Sequence, residues 1–383
     1  MKRVGRGVVA LGVVGLVCVL VCGCAARRTV GFGERTITGP FTHRNLAVFV
    51  IRGRDRVSGK TFLTFDEGMR QKKLCVYETG NVGQLQVENR SRDEYIYIQS
   101  GEIVKGGKQD RTLRYDYIVP PRSGKLPLMS FCVERGRWAR RGAESTTTFK
   151  AGKYLPTGAS RGNNVVWTGS NAVTWSEVSR AQVSYGRNIG KLVTDGDSPS
   201  SLQLTLEHKD VRATAGEYTA AVAKVFDRYE DAVGFAYAIN GEVYWADVYA
   251  SSGLFKRLRG KLLEASSQEA IIEFRKGTPP AAPTAGAVQV FMARARAAKA
   301  TERKISATLR MVVRESPNTV YFKAIAGAEG GEMLSIHEGY GRKVGTPQRP
   351  RANAGDSSLA PRHGGRANEL FRDGAMWTPD AGD

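Results

Sequence analysis

The stretch "AVGFAYAINGEVYWADVYA", residues 232–250, sets the architecture of the second half of the chain. Two runs rich in β-branched and aromatic residues flank the pair Asn240–Gly241. Asn-Gly tolerates the positive φ angles of a tight type I′ turn, and the pattern therefore predicts a β-hairpin. Asp247 stands among apolar residues of the second run, and a carboxylate buried in a strand needs a partner.

Helical periodicity surrounds this hairpin. Helices are predicted over 174–186 and 216–231 before it, and over 254–274 and 287–300 after it. Two or three further strands are predicted over 305–338. The helix over 254–274 brings its apolar side chains close to one face, as an amphipathic helix on a core requires. These side chains are Leu254, Leu258, Leu262, Ala265 and Ile272.

The first half of the chain is rich in strand patterns. Short alternating or β-branched runs extend from "NLAVFVI" (45–51) to "KLPLMSFCVE" (125–134), with one short helix at "FDEGMRQKK" (65–73). A Gly-, Ser- and Asn-rich stretch over 151–172 predicts a long linking loop. The predicted fold class is α+β: a β-rich N-terminal half, as an antiparallel sheet or sandwich, with a mixed helix and hairpin C-terminal half packed against it.

These patterns predict a single domain over 45–344, with a β-rich part over 45–150 and a mixed part over 173–344. Residues 24–44 are predicted to be a tether. Residues 345–383 are rich in Pro, Gly, Arg and Asn without apolar periodicity, which predicts a disordered tail.

The N-terminus carries export signals. Three basic residues precede the uncharged apolar run 8–21, which has the length of a signal peptide. "VCGC" then resembles the lipobox of bacterial lipoproteins, which predicts a signal peptide over 1–23 and lipidation of Cys24. The expected location is the cell envelope, anchored to a membrane on its periplasmic or extracellular face. An ordinary signal peptide or a short anchor is the alternative.

Charge and cysteine content narrow the class of partners. The formal charge is +20 and falls to +17 without residues 1–23, which carry three cations and no acids. Such a surface favours anionic partners, although solubility alone would also account for it. The sequence has no zinc finger, RNP motif or helix-turn-helix pattern, so we expect no specific nucleic-acid binding. Cys75 and Cys132 are equally compatible with a disulfide and with free thiols.

A glycine pair interrupts the strand pattern in "GEIVKGGKQDRTL", residues 101–113. Gly106 and Gly107 can present backbone N–H groups without obstruction, and Lys108 and Arg111 add positive charge. The stretch is therefore a candidate anion nest, with a plain hairpin turn as the alternative.

The same stretch does not match a Walker A loop. Gly107 stands where that motif needs Lys, and Gln109 stands where it needs Ser or Thr. Both flanks are also strand candidates. The predicted ligand-binding residues are Gly106, Gly107, Lys108, Gln109, Arg111 and Arg137.

A second candidate segment is "CVERGRW", residues 132–138. Glu134 is a candidate general acid or base, a metal ligand, or a salt-bridge partner of a neighbouring arginine. Arg137 suits bidentate capture of phosphate or carboxylate, and Trp138 suits either stacking on a ring or core packing. Glu102 is the other candidate acid or base.

These segments carry a family resemblance. "FLTFDEG", "VYETGNVGQLQVEN", "GEIVKGGKQDR", "VPPRSGKLPLMSFCVERGRW" and "TWSEVSRAQ" are similar to the ADP-ribosylglycohydrolase- and rhodanese/phosphatase-associated protein family. The resemblance covers roughly residues 41–340. It implies a link to NAD or ADP-ribose metabolism without a settled reaction.

Three functional hypotheses follow. The first is an envelope lipoprotein that binds an anionic small molecule, phosphorylated and nucleotide- or ADP-ribose-like. The second is an enzyme on an ADP-ribose- or NAD-derived substrate with Glu134 or Glu102 as acid or base. The third is a structural envelope protein without a ligand. The histidines show no metal spacing and no hydrolase or Rossmann motif is present, so no metal or cofactor is predicted. The sequence does not indicate an oligomeric state.

Overall fold

The computed structural model describes residues 29–57, 62–166, 171–306, 309–326 and 334–343. All of them fall within one compact unit. The predicted signal peptide, Cys24 and the predicted tail lie outside the described residues. The α+β fold class is confirmed, because antiparallel sheets and helices share the core.

Eighteen strands are described. The first nine are β1 Thr29–Phe32, β2 Arg35–His43, β3 Leu46–Arg52, β4 Phe62–Thr64, β5 Leu74–Asn81, β6 Gln84–Asn89, β7 Tyr95–Ile98, β8 Ile103–Gly106 and β9 Arg111–Leu113. The others are β10 Tyr117–Val119, β11 Lys125–Cys132, β12 Phe149–Ala151, β13 Ala232–Ile239, β14 Glu242–Tyr249, β15 Ala300–Ser306, β16 Leu309–Glu315, β17 Thr319–Ala326 and β18 Leu334–Arg342.

Seven α-helices accompany the strands in the described part of the chain. They are α1 Phe65–Arg70, α2 Gly158–Val166, α3 Asn171–Ile189, α4 Leu202–Glu207, α5 Lys209–Ala223, α6 Ser252–Ile272 and α7 Ala285–Ala297. A 3-10 turn over Lys224–Arg228 continues α5. None of the described helices is both long and apolar enough to cross a membrane.

The largest sheet draws on both halves of the chain. Its order is β1-β2-β3-β13-β14-β18-β17-β16-β15, and all neighbours are antiparallel. In β3, Leu46, Val48 and Val50 face one hydrophobic cluster, whereas Ala47 and Phe49 face another on the opposite side. A strand covered on both faces needs apolar residues at every position, which explains why "NLAVFVI" does not alternate.

Two smaller sheets belong to the N-terminal half. One has six strands in the order β12-β8-β9-β11-β6-β5, and the other has three in the order β10-β7-β4. The turn between β8 and β9 lies in the six-stranded sheet. The two halves of the chain therefore share one sheet as well as packing against each other.

The hairpin predicted over 232–250 is confirmed. Strands β13 and β14 pair from Gly234 opposite Val248 to Ile239 opposite Glu242. Asn240 and Gly241 have φ angles of 50° and 82°, as a type I′ turn requires.

The amphipathic helix predicted over 254–274 is also confirmed as α6. All five predicted apolar positions of this helix are buried, and they join the main cluster. On the opposite face of the large sheet, α7 buries Ala285, Val288, Met292 and Ala295. The spacing of three, four and three residues is that of one helical face.

The tether predicted over 24–44 is wrong for residues 29–43, which form β1 and β2. Strand β2 pairs with β3. Ile37 of β2 is fully buried in the hydrophobic cluster that includes the apolar face of α7. The alternation here is short and rich in Thr, so its strand signal is weak in isolation. Pairing with a buried neighbour stabilises it.

The linking loop predicted over 151–172 is also wrong in part. Strand β12 ends at Ala151, and α2 and the start of α3 lie in this stretch. Gly and Asn are poor helix formers, so helix propensity predicted a loop where α2 lies. A Cβ at Gly158 or Gly162 would approach the Trp245 ring to within 2.8 and 2.7 Å, so these glycines permit close packing of α2 on β14.

Candidate functional site

In the turn between β8 and β9, the backbone N–H groups donate hydrogen bonds to acceptors within the protein. The N–H of Gly106 donates to Asp110 Oδ1 at 3.0 Å, and that of Gly107 donates to the carbonyl of Ser145 at 2.9 Å. The N–H of Lys108 donates to Glu78 Oε2 at 3.2 Å. The N–H groups predicted to converge on a ligand anion thus each have a partner in the fold.

Arg137 lies beside this turn, and its guanidinium contacts groups of the fold. Its guanidinium contacts Glu134 Oε2 at 2.6 Å and Asp110 Oδ1 at 3.3 Å. It also donates to the carbonyls of Gly106 and Gly107, both at 3.2 Å. Of the three roles considered for Glu134, the observed contacts match that of a salt-bridge partner of a neighbouring arginine.

Arg141 completes what we call the turn network, which consists of Asp110, Glu134, Arg137 and Arg141. Its guanidinium donates to Glu134 Oε1 at 2.8 Å and to Asp110 Oδ1 at 3.0 Å. Ser201, the N-cap of α4, donates to Asp110 Oδ2 at 3.0 Å. Two buried carboxylates thus meet two guanidinium groups, as charges removed from water require.

The surroundings shift the pKa values of the two carboxylates of the turn network in opposite directions. Burial and the neighbouring Glu134 raise the pKa of Asp110. Burial also opposes ionisation of Glu134, but hydrogen bonds from Arg137 and Ser198 outweigh it and lower its pKa. A general acid at neutral pH needs a raised pKa, so Glu134 is poorly placed for that role.

Gln109, Lys108 and Arg111 occupy different surroundings. Gln109 donates to the carbonyl of Glu134 at 3.1 Å and so supports the turn. Lys108 Nζ and Arg111 Cζ lie 5.0 and 5.5 Å from the centre of the Trp138 ring. The indole is 43% exposed, so Trp138 shields the cations more than it fills the core.

Glu102 lies at a second polar centre. Its side chain is buried, and Oε2 accepts a hydrogen bond from Lys261 Nζ at 2.6 Å. Lys261 also donates to Asp66 at 2.9 Å. Burial raises the pKa of Glu102 to about 7, against the lowering effect of Lys261.

Lys261 faces a cavity of about 580 Å³ that opens between α5, α6 and the segment after β12. Volumes of this size are typical of small-molecule sites. We call it the cationic cleft. Its charged lining residues are Lys153, Lys209, Arg212, Lys261 and Glu264.

The charges of the cationic cleft are unbalanced. Lys153, Lys209 and Arg212 are exposed and form no ion pair with any residue in the described ranges. Only Glu264 opposes them among the lining residues, and burial raises the pKa of its carboxyl. The cleft therefore offers three cations without an ion-pair partner, although Lys153 Nζ lies 5.7 Å from the centre of the Tyr154 ring and Arg212 hydrogen-bonds the Tyr154 side chain.

Small residues keep the cationic cleft open. Lys209, Arg212 and Gly216 follow each other along one face of α5, and Gly260 faces the cleft from α6. A Cβ built on Gly216 or Gly260 would meet no atom within 4 Å. Larger side chains at these two positions would project into open space of the cleft.

A third polar centre lies in the core. His337 contacts Asp116 at 2.9 Å and Asp247 at 3.0 Å, and Arg161 donates to Asp247 at 2.9 Å. Trp245 Nε1 also donates to Asp247 at 2.8 Å, so the carboxylate that needs a partner in the sequence has three. Among the described residues, no group of three or more His, Cys, Asp or Glu side chains has metal-binding geometry. Cys75 and Cys132 are free thiols.

The structure divides the predicted site residues into three places. Gly106, Gly107, Gln109, Glu134 and Arg137 belong to the turn network or its turn. Lys108 and Arg111 lie against Trp138, whereas Glu102 reaches the cationic cleft through Lys261.

Sequence reasoning missed Arg141, Ser201 and the cleft cations Lys153, Lys209 and Arg212. The only local signal for the cleft was the spacing of Lys209 and Arg212 on one face of a helix.

The comparisons with known proteins agree with the resemblance in the sequence. No curated protein and no solved structure matches the chain. The family described as "ARG and Rhodanese-Phosphatase-superfamily-associated Protein domain" matches residues 34–330, which is most of the chain and includes the turn network and the cationic cleft. The chain belongs to this family.

Proposed function

We propose that the protein binds an anionic, phosphorylated small molecule in the cationic cleft. The observation that carries the proposal is the set of three exposed cations, Lys153, Lys209 and Arg212, that surround one open cavity and have no ion-pair partner among the described residues. Exposed cations without a carboxylate partner stabilise a fold little, whereas they hold phosphate groups through charge-assisted hydrogen bonds.

The charge of the cleft favours a ligand with at least two negative charges. Three exposed cations oppose Glu264 alone, since Lys261 is already paired with Glu102 and Asp66. A diphosphate or a phosphate monoester matches this excess. The family's link to ADP-ribose chemistry makes ADP-ribose and nucleoside diphosphates the first ligands to test.

Titration calorimetry with ADP-ribose, ADP, ribose 5-phosphate and pyrophosphate tests the proposal. Removing one cation in Lys209→Ala or Arg212→Ala should weaken binding about tenfold or more, the scale of a charge-assisted hydrogen bond. The double variant Lys209→Ala/Arg212→Ala should bind more weakly still. Equal affinity in this variant and in wild type would exclude the cleft as the binding site.

Filling the cleft gives an independent test, because the substitution should remove binding without lowering stability. Gly216→Leu places a side chain in open space on α5, so it should abolish binding while a better helix former maintains or raises stability. Gly253→Leu is the matched control, because Gly253 is exposed on α6 and does not line the cleft. It should leave binding unchanged.

One observation favours the enzyme as a second candidate. Glu102 has a pKa of about 7 and lies 2.6 Å from Lys261, which lines the cleft. A carboxyl near neutrality is suited to proton transfer. Under this hypothesis Glu102→Gln would bind ADP-ribose-type substrates but not turn them over. Binding without turnover by the wild type would leave a binding protein, and no binding by any panel member would favour the structural alternative.

We further propose that the protein is an envelope lipoprotein anchored through Cys24. Strand β1 begins at Thr29, five residues after Cys24. Five residues span at most about 17 Å, so an acylated Cys24 would keep the large sheet close to the membrane surface. Labelling with a fatty-acid analogue tests this: Cys24→Ser should lose the label and leave the membrane fraction, and a variant that keeps both would refute the anchor.

A further inference from the structure

Arg111 is a buried cation whose terminal nitrogens have no acceptor. Its side chain is fully buried, and Nε donates to the carbonyl of Val82 at 3.2 Å. Nη1 and Nη2 have no hydrogen-bond partner among the described residues. The nearest carboxylate oxygen, Glu78 Oε2, is 3.8 Å from Nη2 and already accepts the N–H of Lys108.

Lys108 adds a second cation with unused donors. Its ammonium forms no hydrogen bond or ion pair with any residue that the structure describes. Lys108 Nζ and the Arg111 guanidinium share one aromatic neighbour, the ring of Trp138. Two cations therefore each lie within 5.5 Å of the centre of one partly exposed indole, and Glu78 is the acid beside Arg111.

Such an arrangement is costly without another acceptor. A buried guanidinium loses its hydration, and each unsatisfied donor adds to that loss. Burial, with Arg137 nearby, lowers the pKa of Arg111, which shows how poorly the surrounding groups compensate its charge. The turn network does not help, because its two carboxylates are already matched by Arg137 and Arg141.

We propose that a small inorganic anion, of the size of chloride, resides between Arg111 and Lys108 beneath Trp138. Arg111 Nη1 and Nη2 and Lys108 Nζ supply its hydrogen bonds, and Trp138 shields it from solvent. A compact anion suits the buried nitrogens of Arg111, and the half-buried Lys108 lies on its solvent side. This site is separate from the cationic cleft, and its role is to complete the charge balance of the fold.

Crystals of the wild-type protein grown from sodium bromide give the direct test. An anomalous peak in contact with Arg111 Nη1 or Nη2 is the expected result. A peak-free site with only water density there would overturn the proposal. The experiment needs no variant and is independent of ligand binding in the cleft.

Melting at constant ionic strength gives the matching test in solution. Replacing gluconate with chloride should raise the melting temperature of wild type by about 2 °C or more, because the anion binds only the folded state. Lys108→Met, which keeps the packing of the stem, should lose most of this shift. Arg135→Met is the control, since Arg135 is exposed on the neighbouring segment, and it should retain the shift.

The double variant Lys209→Ala/Arg212→Ala separates this site from the cationic cleft. It should respond to chloride like wild type even though it no longer binds phosphorylated ligands. A chloride shift that disappears in this variant but persists in Lys108→Met would assign the effect to the cleft and contradict the proposal.

Discussion

The turn network and the cationic cleft are both rich in arginine and lysine, but they use them differently. In the turn network, the side chains of Arg137 and Arg141 are only 9% and 7% exposed, and each contacts both Asp110 and Glu134. In the cleft, Lys209 and Arg212 are exposed and form no ion pair within the described residues. Pairing within the fold, more than residue type, therefore distinguishes cations that stabilise the structure from cations available to a ligand.

The comparison predicts its largest effect at Glu134. Glu134→Ala leaves Arg137 with Asp110 as its single carboxylate partner and removes one of the three carboxylates of Arg141, and the free energy of unfolding should fall by about 3–5 kcal/mol. Urea denaturation measures the loss. Glu217→Ala is the control, because the Arg44–Glu217 pair is exposed and should contribute about 1 kcal/mol or less. Similar losses in both variants would contradict the contrast.

The pH dependence of stability extends the comparison to the core. Burial lowers the pKa of His337, but Asp116 and Asp247 outweigh it and raise the pKa to about 9. The folded state then holds its proton more tightly than the unfolded state, where the pKa is about 6.5. The stabilisation is complete below pH 6.5 and is lost as the pH rises to 9, on the order of 3 kcal/mol in total.

Urea denaturation at pH values between 6 and 9.5 tests this sign. His337→Gln should be less stable than wild type at pH 6 and show a flatter profile above it. A wild-type profile that rises over this range would be incompatible with a charged His337 between two carboxylates.

The glycine pair predicts a smaller, steric effect. Gly107 has φ +56°, and a Cβ there would lie 2.3 Å from Phe149 Cζ. Gly142 has φ +50° with nothing within 4 Å of such a Cβ. Gly142→Ala therefore isolates the backbone cost of a left-handed conformation, about 1–2 kcal/mol. Gly107→Ala should cost about 1–3 kcal/mol more, because it also overpacks the turn. Equal losses would mean that the ring of Phe149 moves aside freely.

Local patterns in the sequence were sufficient for the elements that local physics determines. Asn240–Gly241 specifies its turn by φ alone, and the apolar face of α6 specifies burial by periodicity. Strand β2 and helix α2 were not predictable in this way, because Ile37 is buried in a cluster with Val288 and Met292 of α7 and Gly162 gains its role from Trp245. Both depend on partners far along the chain.

The candidate site shows the same limit. Glu134 and Arg137 are three residues apart, and their pairing was among the alternatives that the sequence allowed. Lys153 and Arg212 are 59 positions apart, and both line the cleft because the segment after β12 runs beside α5 and α6. Which cations lack a carboxylate partner is a property of the folded chain, so composition alone indicates a basic protein without locating its site.

The central claim is that the cations of the cleft serve a ligand and not the fold. Melting of wild type and of Lys209→Ala/Arg212→Ala, with and without ADP-ribose, tests it most directly. Without ligand the two proteins should differ by less than about 0.5 kcal/mol, since exposed unpaired side chains contribute little to stability. With ligand, wild type should melt higher and the variant should not respond. A variant that melts several degrees lower without ligand, yet shows the full ligand shift, would contradict the claim.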